Sequence, residues 1–286
     1  MTHPPLHVLL GHPVAHSWSP LLHRHVMKRL GRPGVYVAAD VAPSRLVDAV
    51  RGLWALGARG VNLTMPHKER VLELVTDVTP EAQMLGAANT LVRGETGWIA
   101  HNTDLFGYQV MLAEAMPRKA LILGAGGGAR AVAHALALLG CRLVVAVREP
   151  AAGERLLEDL GVEGLVRPWH EREIGLADVD LVVNCTPVGL GTAGTPPADR
   201  GRRTEPDGPT PLGPEALGRL PAGSLVHDLV YARGETPLVH WARLCGHEAL
   251  DGRSMLAGQA AAAQWAWWGG ELPLATCREV LEDLLV

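Results

Sequence analysis

The chain has 286 residues, 48% of them hydrophobic, enough for one large or two ordinary domains with real cores. A formal charge of −4 gives no electrostatic case for nucleic acid or an anionic membrane as a partner. The four cysteines, Cys141, Cys185, Cys245 and Cys277, lie far apart without a CxxC pair and read as reduced thiols, excluding a disulfide framework and a zinc site.

The first apolar run, residues 6–10, is too short and lacks the basic flank of a signal peptide. No apolar run reaches the ~18 residues of a membrane span, so a cytoplasmic protein is expected. Residues 6–10 read as a strand stopped by Gly11. Ser19 and Pro20 read as the N-cap and first residue of a helix closed by Gly31. A strand over 35–41 follows, then a helix with Leu46, Val47, Val50, Leu53 and Trp54 at helical spacing, then a strand over 61–64. Hairpin strands at 89–93 and 98–101 precede a helix from Asp104. The second half restarts with a strand over 120–123, a glycine turn over 124–128 and an alanine-rich helix over 129–139. Further strands are expected at 142–147, 181–185 and 224–229. Residues 191–214, dense in Gly, Pro and charge, read as a long loop. From Met255 the chain is helical in two pieces, broken near Gly269-Gly270 and Pro273. Repeated β-then-α units predict parallel strands with helical crossovers, hence an α/β fold in two domains.

The turn GAGGGA stands between a predicted strand and helix. Gly124 permits the tight turn, and Gly126, with Gly127 and Gly128 following, lets the backbone approach a pyrophosphate. Ala129 fills the slot where helix and strand pack closely. The helix start offers free N–H groups and the positive end of its dipole. Strand, turn, helix and second strand follow in order, as a dinucleotide site requires. At the end of that second strand, Arg148 suits the 2′-phosphate of NADP. The adjacent Glu149 either binds the ribose hydroxyls of NAD or caps the next helix, so NADP is preferred and NAD is the alternative.

Four polar clusters precede residue 108. Ser17 and Ser19 flank a helix start and suit a carboxylate, unless Ser19 only caps the helix. Lys68 ends the run NLTMPHK and reads as a lysine at a helix start, unfavourably placed against the dipole, although a lone lysine is usually a solvated charge. The third cluster is residues 86–90. In the fourth, Thr103 and Asp104 are either functional or helix caps.

Together these clusters resemble the shikimate dehydrogenase family almost end to end. The family is similar in carrying HSxSP, NxTxPxK, GAxNT, NTDxxG, GAGGxxRA, NxTPxG, DxxY and GxxMLxxQ. Here these stand at 16–20, 62–68, 86–90, 102–107, 124–131, 184–189, 228–231 and 252–259. The resemblance implies a substrate domain of the α/β kind (1–105 and 252–286), a Rossmann-type dinucleotide-binding domain (106–251) and an active site in the cleft between them. It implies that Ser17 and Ser19 bind the substrate carboxylate, that Thr64, Asn89, Asp104, Tyr231 and Gln259 hold ring hydroxyls, and that Thr186, Gly252 and Met255 line the nicotinamide. Lys68 and Asp104 would carry the proton chemistry between 3-dehydroshikimate and shikimate, in a monomer or homodimer without a metal. Val147 and Glu149 depart from the family pattern around Arg148, as do Ala100, Leu105, Arg233 and Ser254 elsewhere. A quinate/shikimate enzyme preferring NAD and a non-catalytic cofactor-binding regulator are the competing readings.

Overall fold

In the strand β1 (Leu6–Gly11), side chains alternate between two cores, Val8 and Leu10 on one face and Leu9 on the other. This is possible because both faces are covered, as parallel strands require. The computed structural model describes residues 4–190, 208–232 and 234–284; the expected loop lies outside them as far as residue 207, as does Arg233. Two parallel neighbours flank β1, β2 (Val35–Asp40) and β3 (Gly60–Leu63). Three short strands, β4 (Asp77–Val78), β5 (Thr90–Arg93) and β6 (Trp98–His101), complete a mixed sheet in the order β2-β1-β3-β5-β6-β4. Its helices are α1 (Ser19–Arg29), α2 (Leu46–Ala55), α3 (Pro80–Leu85) and α4 (Asp104–Leu112).

The second sheet is wholly parallel. Its strands are β7 (Lys119–Leu123), β8 (Arg142–Val147), β9 (Gly164–Pro168), β10 (Leu181–Asn184), β11 (Leu225–Asp228) and β12 (Glu248–Leu250). The order β12-β11-β10-β7-β8-β9 is the doubly wound order of dinucleotide-binding folds, and it reverses between β7 and β10. Crossovers include α5 (Gly127–Leu138), α6 (Pro150–Leu160), α7 (Pro214–Leu217) and α8 (Pro237–Leu244). Leu121, Leu123, Val144, Val182, Val226 and Leu238 fill one core of this sheet.

Two closing helices, α9 (Arg253–Trp268) and α10 (Leu274–Asp283), return the chain to the first sheet. There Trp267 packs with Leu9, Met27 and Tyr36, and its indole occupies the space that a side chain at Gly60 would take. Its N–H is satisfied by the Leu91 carbonyl at 3.0 Å. The chain divides into two compact units, 1–110 with 255–286, and 111–254. These divisions fall inside α4 and α9, whereas the sequence reading puts the borders near the helix starts.

Among the described residues the first unit buries three histidines, His7, His23 and His67, the first two packed on Trp267. His23 stacks on Tyr36 at 4.5 Å between ring centroids, and its Nδ1 takes the Gln264 side-chain N–H at 3.0 Å. Burial holds its imidazole down at about 3, and burial followed by the nearby Arg59 charge holds His7 at about 4. Both folded values are depressed, so below the ordinary 6.5 the unfolded chain binds protons that the folded unit refuses. Stability is therefore full above that pH and falls as pH drops towards the folded values. His23 alone should cost about 2 kcal/mol by about pH 5. Urea midpoints measured down the pH scale should fall for the wild type and fall less for His23→Phe; equal slopes would refute the assignment to His23.

Candidate active site

The lysine predicted at a helix start sits instead in a turn after β3, ahead of the short 3-10 segment Arg70–Leu74. It therefore does not oppose an α-helix dipole. Its placement comes from a hydrogen bond, Lys68 Nζ to Asp104 Oδ2 at 2.6 Å, with only 18% of the lysine and 6% of the aspartate side chain exposed. A surface lysine would not be held this way. The Lys68 carbonyl also accepts the Ala88 N–H at 2.8 Å, tying the turn to the 86–90 cluster.

Asp104 begins α4 but does not cap it. The cap is Asn102, whose Oδ1 accepts the N–H groups of Asp104 and Leu105 at 3.0 and 3.2 Å. The Asp104 carboxylate is thereby free for other partners. Its Oδ1 takes the Asn89 side-chain N–H at 2.8 Å, and its Oδ2 takes Lys68. Asn89 Oδ1 in turn accepts the Thr103 backbone N–H at 2.7 Å. Asn89, Thr103 and Asp104 are all buried.

Ser19, expected as an N-cap, is the first residue of α1, and Trp18 occupies the cap position without a side-chain capping bond. Ser17 Oγ accepts the Ser19 N–H at 3.2 Å. Ser19 is therefore not the capping residue that the plainer reading requires, and Ser17 instead meets the first N–H of α1. Thr64 follows β3 directly, packed so closely on Gly11 that a side chain there would collide with its methyl group. Met255 and Gln259 lie on α9, which meets α4 at glycines. A Cβ on Gly107 would come 2.6 Å from the Met255 carbonyl and 3.0 Å from the Gln259 nitrogen. The first unit thus holds Ser17, Ser19, Thr64, Lys68, Asn89, Asp104, Met255 and Gln259, while Tyr231 and Gly252 belong to the second.

In the second unit the glycine turn has the expected form. Gly124 has φ +101, a left-handed conformation costly for other residues. A Cβ at Gly126 would meet nothing within 4 Å, and Gly126 precedes α5 with no side-chain cap and no acidic residue in the first turn. That leaves open N–H groups at a helix start for phosphate oxygens. Ala129 is buried, and a Cβ at Gly128 would touch Leu229 at 3.4 Å. Arg148 follows β8 and is exposed. Glu149 takes the N-cap position of α6 but makes no capping bond, so its expected capping role is absent. These residues fit a dinucleotide with a 2′-phosphate.

Thr186 lies at the point where the strand order reverses, 3.0 Å from where a Gly124 Cβ would be. Asn184 fixes it, accepting its N–H and hydroxyl at 3.0 and 2.7 Å. Asn184 also donates to Asp228 at 2.8 Å, and Asp228 takes the Thr236 hydroxyl at 2.7 Å. Burial pushes the Asp228 carboxyl up to about 6 against these donors. Gly252 is required because a side chain would strike the Leu229 carbonyl. Sequence reasoning missed this Asn184–Asp228–Thr236 support; the recurrence of Asn and Asp at adjacent parallel strand ends was its signal.

Among the described residues no group of three or more His, Cys, Asp or Glu could hold a metal ion. No helix among them is long and apolar enough to cross a membrane. The model of the shikimate dehydrogenase substrate binding domain matches residues 9–91. The chain is 40% identical to a shikimate dehydrogenase (NADP(+)) of Symbiobacterium thermophilum, over 94% of this chain and 91% of that one. Among solved structures it is similar to shikimate 5-dehydrogenase from Thermus thermophilus in complex with NADP(H) and shikimate. That likeness has a TM-score of 0.80 and 34% identity, covering 98% of this chain and 99% of that one. A shikimate 5-dehydrogenase from Listeria monocytogenes in complex with shikimate and NAD gives a TM-score of 0.79 at 29% identity, covering 98% and 97%.

Proposed function

The chain belongs to the shikimate dehydrogenase family, and we propose that it interconverts 3-dehydroshikimate and shikimate with NADP in aromatic amino-acid biosynthesis. The observation that carries this reading is the buried Lys68–Asp104 pair at 2.6 Å. A reduced nucleotide, when bound, supplies the hydride to the C3 carbonyl. Charge then develops on the C3 oxygen, and an ammonium beside it both stabilises that charge and yields the proton. Lys68 is assigned that role, and Asp104 orients the lysine and the alcohol. Lysine suits the task because it can lose its proton, whereas arginine stays protonated.

Ser17 and Ser19 are assigned to the substrate carboxylate, supported by their place at the start of α1. Thr64, Asn89, Asp104, Tyr231 and Gln259 are assigned to the ring hydroxyls. Thr186, Gly252 and Met255 are assigned to the nicotinamide, Gly124, Gly126, Gly127, Gly128 and Ala129 to the turn that receives the pyrophosphate, and Arg148 to the 2′-phosphate. The same reading makes the protein a cytoplasmic monomer or homodimer acting on a small molecule.

The test is a grid of shikimate and quinate, each with NADP and NAD. Shikimate with NADP should turn over fastest. Silence in all four combinations would leave a cofactor-binding regulator, and quinate with NAD equalling shikimate with NADP would make this a quinate/shikimate enzyme.

A further inference from the structure

Behind the Lys68–Asp104 pair lies a line of buried polar side chains that the reaction does not itself explain. Tyr36 on β2 donates to Asn62 Oδ1 at 2.7 Å. Asn62 on β3 donates through Nδ2 to the Asn89 carbonyl at 3.1 Å and to Thr90 Oγ1 at 3.0 Å. Thr90 donates to Asn89 Oδ1 at 3.2 Å, and Asn89 Nδ2 donates to Asp104 Oδ1 at 2.8 Å. All five residues are buried.

The direction of this line is set largely by groups that can only donate or only accept. The Asn89 carbonyl can only accept, so Asn62 must turn its NH₂ towards it, leaving its oxygen for the Tyr36 phenol. Thr90 receives an Asn62 proton and gives its own to Asn89 Oδ1 at 3.2 Å, with the Thr103 hydroxyl a second neighbour at 3.3 Å. The Thr103 backbone N–H can only donate, and it meets Asn89 Oδ1 at 2.7 Å, which sends the Asn89 NH₂ to Asp104. The donors thus point one way, from Tyr36 to the carboxylate. Away from water, each such bond polarises the next and strengthens it.

Stability does not call for this arrangement. Asparagine is depleted in strands, and a buried polar network gives little that well-packed apolar side chains would not. What it does accomplish is to occupy one Asp104 oxygen with a strong donor and leave the other, Oδ2, to Lys68.

We propose that Tyr36, Asn62 and Thr90 are positioning residues, a one-way donor chain acting through Asn89 to hold Asp104 in register with the Lys68 ammonium. The inference rests on the reaction proposed above. Tyr36→Phe and Thr90→Val each remove one hydroxyl with little change of shape, and Thr90→Ser keeps the hydroxyl.

Tyr36→Phe and Thr90→Val should each lower kcat about tenfold with the KM for shikimate changed less than about twofold. Thr90→Ser should recover most of that loss. The double variant should lose less than the product of the single losses, because a broken chain cannot be broken twice. The solvent deuterium isotope effect on kcat should rise as proton transfer becomes slower. Unchanged kcat in Thr90→Val would overturn the proposal, as would fully multiplicative losses with an unchanged isotope effect and a lowered Tm. Thr90→Val against Thr90→Ser decides the matter even where Tyr36→Phe does not fold. Wild-type enzyme that fails to turn over shikimate refutes the reaction, whereas normal wild-type turnover with normal variants refutes only the chain.

Discussion

Lys68→Ala should lose about 10²- to 10⁴-fold in kcat, with KM for shikimate changed by no more than about threefold. The reason is where the lysine's bond energy goes. Its ammonium is held by Asp104 at 2.6 Å in a site where little of either side chain is exposed. The carboxylate of the substrate is assigned to Ser17 and Ser19, so removal of Lys68 leaves that anchor in place. What disappears is the group that meets charge on the C3 oxygen as hydride arrives. Lys68→Arg should fail almost as badly, since a guanidinium keeps its proton. Asp104 keeps its bond to Asn89 and its place in the first turn of α4, where a negative charge is favoured, so the variant should fold. Steady-state kinetics in both directions, with a melting curve as control, measure the split. A raised KM at unchanged kcat would reduce Lys68 to a binding residue.

Arg148→Ala should raise KM for NADP by roughly 10- to 100-fold and leave KM for NAD nearly unchanged. Arg148 emerges at the end of β8, exposed, beside the strand that feeds the glycine turn. A guanidinium makes charge-assisted, paired bonds to phosphate oxygens, worth about 1.5–3 kcal/mol, and each 1.4 kcal/mol is about tenfold. Glu149 stands next to it without a capping bond, so its charge opposes a 2′-phosphate rather than serving α6. Comparison of kcat/KM for the two nucleotides, before and after substitution, measures the discrimination. Equal losses with both would place Arg148 outside phosphate recognition.

The parts of the fold that can be read from the chain are those with local grammar. The strand over 142–147 stands where its apolar run places it, and the glycine turn with its flanking strand and helix follows from spacing alone. Strands β4, β9 and β12 escape because two to five residues carry too little pattern, and their pairing is settled by distant partners. The resemblance identifies Lys68 and Asp104, yet the local physics that the sequence suggests for them differs from what the structure has. Lys68 reads as a charge set against a helix dipole, but its environment is a turn and a carboxylate 36 residues away. Thr103 and Asp104 read as possible caps, but the cap is Asn102 just before them. The line from Tyr36 to Asn89 is invisible for the same reason, since its links from Tyr36 to Asn62 and from Asn62 to Thr90 join different strands and a lone Asn in a strand run announces nothing.

The compact unit that carries Lys68 and Asp104 is discontinuous, broken off at residue 110 and resumed at 255. A chain emerging from the ribosome therefore makes the sheet of this unit long before it makes α9. Until Trp267 arrives, Leu9, Met27 and Tyr36 lack part of their cover, and Gly60 sits opposite an empty place. The parallel unit over 111–254 has all its strands first and can condense meanwhile. Its folding also brings the two severed ends together, because α4 and α9 meet with Gly107 and Gly258 in backbone contact. The later unit then closes a short gap instead of a long floppy loop, which lowers its closure entropy. The first unit thus depends for its cover on helices made after the whole of the second, and a ribosome-bound chain stopped before residue 253 leaves Leu9 and Tyr36 without Trp267.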